Sequence, residues 1–181
     1  IQSVGTRFET PAAVSGASTA RCLILVTSDA ERTMCTYLGA STQLDPDDLD
    51  LSMVRDTKVL YLEGYLWDSP AAKKAFITAA EACRESGGQV ALSLSDGFCV
   101  DRHRESFLEL VDGHVDVLFA NEDEIKSLYG AADFESALEQ VKGRCSVAVL
   151  TRSAQGSVVL CGDEKWAVSY THLRAHETIN H

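Results

Sequence analysis

Four apolar runs set the limits on this fold: KVLYLEG (58–64), QVALSLS (89–95), VDVLFA (115–120) and SVAVLTRS (146–153). The stretches between them carry apolar residues at helical spacing. Ser69 and Pro70 open the first, its apolar positions Ala72, Phe76, Ala79, Ala80 and Cys83 share one helical face, and Gly87-Gly88 stops it. VDRHRESFLELVDG, NEDEIKSLYG and DFESALEQVKG give three more helices. Strands that are apolar throughout and alternate with helices require βαβ crossovers, and so a mostly parallel sheet in an α/β fold. Ligands of such sheets bind at the carboxyl ends of the strands. That rule selects Glu63 and Gly64, Ser93 to Asp96, Asn121 to Glu124, and Thr151 to Gly156.

The amino-terminal part has a different texture. VGTRFET, TARCLILVT and RTMCTYL, with the turn SDAE, read as antiparallel ribbons over about residues 4–38. LDPDDLDLSMVRD reads as one short acidic helix with Asp45 as N-cap and Pro46 at its first position, and GSVVLCGDEKWAV as a closing ribbon. The α/β core is expected over about residues 45–168.

Charge and cysteine usage narrow the partners. With 27 acidic against 16 basic residues and a net charge of -11, the chain lacks the basic footprint of a nucleic-acid binder or of a protein that docks on anionic membranes. A polyanionic small ligand such as ATP stays open, because backbone N–H groups and a metal ion act locally. The six cysteines are widely spaced, without a C-x-x-C pair, and read as buried free thiols of a reducing cytosol. No apolar stretch approaches the roughly 20 residues of a bilayer span, so the expected location is cytoplasmic.

Two segments suggest chemistry. In DVLFANEDEI, Asn121 with Glu124 three residues on is a capping box, each side chain satisfying the other's backbone N–H. The same carboxylate, at a strand's carboxyl end, could organise a hydrated Mg²⁺ beside nucleotide phosphates. In VLTRSAQGSVVL, Gly156 suits a hairpin turn, whereas Thr151 and nearby amides suit phosphate or ribose contacts; no P-loop pattern is present. Glu63 is either an exposed acid or a partner for a sugar hydroxyl, and Arg32 and Tyr37 belong to a solvated ribbon or to a lid over substrate. His103 and His114 have no partner in the sequence and receive no catalytic role.

In this order and spacing, TARCLILVTSDAERTMCTYLGAS, VLYLEGYLWD, ALSLSDGFCVDRHRESFLELVDGHVDVLFANEDEI and VLTRSAQGSVVL resemble the middle of a ribokinase-like (PfkB) sugar or nucleoside kinase, nearest the adenosine kinases, over about Gly5 to Val168. The resemblance implies a three-layer α/β/α fold with a mostly parallel sheet and a β-ribbon lid. It implies transfer of the γ-phosphoryl group of ATP to a hydroxyl of a ribose-like or nucleoside substrate. Asn121, Glu124, Thr151, Ser153 and Gly156 then fall on the nucleotide side, Glu124 serving Mg²⁺ through water, and Glu63, Arg32 and Tyr37 on the substrate side. Ser153 stands where relatives often have Gly, and Cys35 where close relatives tend to have Asn.

The family's substrate-gripping Asp and Gly-Gly segment, and its Gly-Ala-Gly-Asp segment with the catalytic base, are not in this sequence. The chain is therefore expected to be an internal piece of a kinase, inactive alone, its base expected downstream. The alternative from another class is a non-catalytic nucleotide- or nucleoside-binding module. Residues 169–181 break the pattern and resemble read-through of a sequencing adaptor; His172, His176 and His181 around Glu177 are thus not taken as a metal site. Exposed ribbons also suggest a lid-mediated homodimer.

Overall fold

The computed structural model describes residues 2–8 and 10–169. The expectations for the carboxy-terminal tail and its histidines lie outside the described residues. Two sheets are present. β1 (Arg21–Val26) and β2 (Arg32–Tyr37) form an antiparallel ribbon. The second sheet has the order β3 (Val59–Glu63), β4 (Gln89–Ser93), β5 (Val117–Asn121), β6 (Val147–Thr151), β7 (Ser157–Cys161) and β8 (Glu164–Val168). Its first four strands are parallel and its last two antiparallel. Helix α1 (Leu51–Arg55) precedes it; α2 (Pro70–Glu85), α3 (Gly97–His114) and the pair α4 (Glu122–Tyr129) and α5 (Phe134–Val141) make the crossovers.

Spatial order follows chain order from β3 to β6, so each right-handed crossover steps the same way and leaves its helix on the same face. The strand side chains agree. Leu62, Val90, Leu92, Leu118 and Leu150, which alternate along the strands, are buried in one core with Phe76, Phe107, Ile125 and Leu128 of the helices. Each such side chain contributes about 1.5–3 kcal/mol of hydrophobic stabilisation. The intervening residues point the other way and stay open: Tyr61 is 55% exposed, Phe119 38% and Trp166 46%. The described residues thus supply a mostly parallel sheet with one helical layer and a ribbon; a second helical layer is not among them.

Trp67 fixes the 3-10 turn Gly64–Asp68 that follows β3. Its ring lies 5.6 Å from Phe76 and 5.5 Å from Phe107, and its indole N–H donates to Ser106 Oγ at 2.9 Å. The residues after β3 are therefore clamped between α2 and α3.

Some local expectations differ from the structure. The described residues of VGTRFET form no strand. LDPDDLDLSMVRD splits in two. Asp45 caps the 3-10 turn Pro46–Asp48 in a capping box with Asp48, and Asp50 then caps α1 by accepting from the N–H groups of Ser52 and Met53. Helix α3 begins at Gly97 and not at Val100, because Asp96 accepts from Cys99 N at 3.1 Å and sets the start earlier. The cysteines are free, but only Cys83 and Cys99 are buried and Cys145 half-buried; Cys22, Cys35 and Cys161 are exposed. Those three sit on the ribbon and at the end of β7, where an apolar neighbourhood in sequence is not covered in space.

Candidate functional site

The carboxyl ends of β3 to β6 meet around a cleft of about 350 Å³ lined by Glu63, Ser93, Ser95, Asn121, Glu124 and Thr151, with Phe119, Ala120 and Val149 as its floor. Asn121 ends β5 in extended conformation and caps α4. Its Oδ1 accepts from Glu124 N at 2.8 Å, while Glu124 Oε2 accepts from Asn121 N at 2.9 Å and Oε1 from Asn121 Nδ2 at 2.8 Å. The capping box is complete, with an additional side-chain bond. Glu124 is 7% exposed, the one charged residue in the core among those described.

Burial raises the Glu124 carboxyl above the usual glutamate range; the Asn121 backbone N–H opposes the rise, and Asp96, Glu63 and Asp123 add to it. Because the folded value lies above the unfolded one, protonating Glu124 favours the folded state. This contribution is fully present below the unfolded value near 4.5 and is lost as pH rises through the folded one. Unfolding free energies of the parent and Glu124→Gln, compared across that window, should show the parent gaining on the variant as pH falls. A pH-independent difference would refute the linkage.

Glu63 ends β3 with both oxygens engaged. Tyr61 Oη donates to Oε2 at 2.9 Å, and the Ser95 hydroxyl donates to Oε1. Carboxylates retain further lone-pair positions when two are in use, so Glu63 can still accept from a ligand.

Thr151 lies at the end of β6, in register with Asn121, and lines the cleft. The turn that follows has two left-handed residues, Ser153 at φ 49° and Gly156 at φ 88°, ψ -137°. The second is a region that only glycine occupies readily, which explains Gly156. Arg152 ties this turn to the helices: its Nε donates to Glu122 Oε2 at 3.0 Å and its guanidinium lies 4.0 Å from the centre of the Phe134 ring. Ser153→Gly should stabilise the protein. Relief of a left-handed non-glycine residue, about 1–2 kcal/mol, exceeds the added chain entropy of glycine, about 0.4–1 kcal/mol. The expected gain is about 0.5–1 kcal/mol, read as a rise in Tm.

A second cavity of about 710 Å³ lies between the ribbon and the turn after β3, lined by Met34, Thr36, Leu38, Glu63, Tyr65 and Asp68 among others. Glu63 belongs to both spaces. Arg32 shares the Met34 and Thr36 face of β2, but sits at the strand's far end and does not line the cavity. Tyr37 lies on the opposite face, with the Arg21 guanidinium 5.8 Å from its ring centre. Of the three substrate-side residues expected from sequence, the structure brings only Glu63 into the cleft. A further depression, about 810 Å³, includes Asp45, Asp48 and Asp50 in its lining, but these carboxylates are occupied in capping.

Sequence reasoning placed Ser95 at a strand's carboxyl end without giving it a role, and passed over Asp68. Ser95 has φ 68°, a conformation that serine does not announce. Asp68 bonds Arg102 in two-pronged fashion, at 2.9 and 3.2 Å, and His103 Nε2 at 2.8 Å, while Lys73 Nζ lies 3.2 Å from His103 Nδ1. His103 thus has partners after all, and they tie the turn after β3 to α2 and α3. Among the described residues, no group of three histidine, cysteine or acidic side chains is placed to hold a metal ion directly. None of the described helices is long and apolar enough to cross a membrane.

The signature of the pfkB family carbohydrate kinases matches residues 11–172. The chain belongs to that family. Among solved structures, it is similar to the adenosine kinase from Sinorhizobium meliloti, with 44% identity and a TM-score of 0.88 over 95% of this chain and 53% of that one. It is also similar to a probable sugar kinase protein from Rhizobium etli CFN 42, with 42% identity and a TM-score of 0.89 over 96% of this chain and 53% of that one. The Anopheles gambiae adenosine kinase, at 19% identity and a TM-score of 0.74 over 87% of this chain and 53% of that one, shares the fold. The chain therefore spans about half the length of these relatives. Their likeness confirms the ribokinase-like α/β fold with its mostly parallel sheet.

Proposed function

We propose that the protein containing this chain transfers the γ-phosphoryl group of ATP to a hydroxyl of a nucleoside or ribose-like sugar, and that the cleft at the ends of β3 to β6 is where the two substrates meet. The observation that carries this reading is the convergence of Glu63, Ser93, Asn121 with Glu124, and Thr151 from four successive strand ends in a chain of the pfkB family. Phosphoryl transfer asks a protein mainly for positioning and charge neutralisation. Thr151, Ser153 and Gly156 border the nucleotide side, with the Thr151 hydroxyl and the turn's amides as phosphate contacts. Glu63 accepts from a hydroxyl of the acceptor. The ribbon of β1 and β2 serves as a lid over the core of about residues 45–168; Arg32 and Tyr37 reach substrate only if it closes further.

Magnesium fits the residues present as a hydrated ion and not as a directly ligated one. Both Glu124 oxygens already accept from Asn121, and Asp96, Glu63 and Asp123 raise the cost of its negative charge. Asn121 and Glu124 would hold the hydrated ion through water, and such an ion supplies charge neutralisation at the transferring phosphoryl group. A cytoplasmic setting accords with the free cysteines. The ribbon is apolar on both faces, Leu23 and Leu25 on one and Ile24 and Met34 on the other, which supports a lid-mediated homodimer.

Calorimetric titration of Mg-ATP and of adenosine into the protein that contains this chain tests the proposal. Saturable binding of both is expected, with Asn121→Ala weakening Mg-ATP alone. Absence of saturable binding for either would overturn it.

A further inference from the structure

Ser95 stands at φ 68°, and Asp96 N donates to Leu94 O at 2.8 Å across it, so the residue is the centre of a three-residue turn with positive φ. This is the rare and strained form of such a turn. Glycine would adopt it without penalty. Strained positions persist where the surroundings over-determine them, and they cluster at functional sites. Here the surroundings are specific. Leu94 N donates to Phe119 O at 3.0 Å, Asp96 caps α3, and Gly64 packs so closely that an added Cβ would lie 2.4 Å from Leu94 O.

What serine adds over glycine is one hydroxyl, and that hydroxyl donates to Glu63 Oε1. Tyr61 holds the other oxygen from the same strand. Without Ser95 the Glu63 carboxylate would be tethered on one side only, free to rotate between the cleft and the ribbon cavity that it also lines. We infer that Ser95 is a positioning residue: it holds the Glu63 carboxylate in the orientation that receives an acceptor hydroxyl, and the backbone strain at φ 68° is retained because only a hydroxyl-bearing residue there can do so. The inference rests on the acceptor-side reading of Glu63 given above.

Three variants separate orientation from stability. Ser95→Gly removes the hydroxyl and relaxes the backbone. Ser95→Thr keeps the hydroxyl but adds β-branching at positive φ, so it strains the turn further. Tyr61→Phe removes the other tether. Ser95→Gly should raise Tm yet weaken adenosine binding about tenfold, the loss of one hydrogen bond to a charged group, with Mg-ATP affinity unchanged. Ser95→Thr should lower Tm and keep adenosine affinity within about twofold of the parent. Tyr61→Phe should weaken adenosine in the same direction as Ser95→Gly. Independently of any ligand, side-chain three-bond couplings of Glu63 should report one rotamer in the parent and averaging in Ser95→Gly.

Parental adenosine affinity in Ser95→Gly, or a single Glu63 rotamer retained in it, would overturn the assignment. If the parent protein containing this chain binds no adenosine, the acceptor-side reading of Glu63 fails, while the coupling measurement still decides whether Ser95 orients that carboxylate.

Discussion

Glu124→Ala is expected to lose the helix cap and the metal-dependent binding together. Alanine leaves Asn121 N and Nδ2 without the two carboxylate oxygens that now accept from them. Unsatisfied donors cost about 1–3 kcal/mol each when buried. Asn121 itself is exposed, so water recovers part of this, and a net loss of about 2 kcal/mol is expected. Removing a group that holds a metal through its surroundings lowers metal-dependent affinity or activity by about 10–100-fold, and the same is expected for Mg-ATP. Glu124→Gln separates the two effects less cleanly than a capping box alone implies. The amide offers one acceptor to two donors, so one bond is lost, worth about 1 kcal/mol, while the desolvation of a buried charge is relieved. Denaturant unfolding of both variants and calorimetry with Mg-ATP check this. Parental Mg-ATP affinity in both would reduce Glu124 to a cap.

Gly64→Ala should be the most destabilising single methyl on the molecule's ligand edge. The new Cβ would lie 2.4 Å from Leu94 O and 2.7 Å from Ser93 O. These are backbone atoms, held by Phe119 and by the α3 cap, so no side chain can swing aside. Forcing β3 and the turn after β4 apart is expected to cost about 3 kcal/mol, or roughly 6–12 °C in Tm for a chain of this size. It should also pull Ser95 from Glu63 and weaken adenosine binding. A Tm within about 2 °C of the parent would show that the two segments separate freely.

The alternation of strand and helix was legible because buried parallel strands must be apolar throughout, and Leu62, Leu92, Leu118 and Leu150 all fall in such runs and in the core. Caps were legible too. Ser69 and Asn121 act as their residue types and spacing indicate, because capping is decided within three residues. Features set by distant parts of the chain were not readable. VGTRFET has strand composition, yet its described residues form no strand. Ser95 and Ser153 carry no mark of their positive φ, since that conformation is imposed by Gly64 in one case and by the β6–β7 turn in the other. Glu63 looked like an exposed acid because its partner Ser95 lies 32 positions away. The placement of Tyr37 turned on strand parity, which depends on which face of the ribbon turns to the cavity beside β3.

The stepwise order from β3 to β6 also sets a timetable for synthesis. Each new strand docks on the one just made, so ribosomal emergence and sheet growth run in the same direction and no early strand waits for a distant partner. The cleft behaves differently. Glu63 is available with the first strand of that sequence, Ser95 after the second and Asn121 after the third, yet Thr151 arrives only with the fourth. A nascent chain halted before Thr151 would have grown most of its hydrophobic core while its binding surface was still open at one side. Under the proposed function, ligand capture would thereby be confined to molecules that have completed this part of the fold.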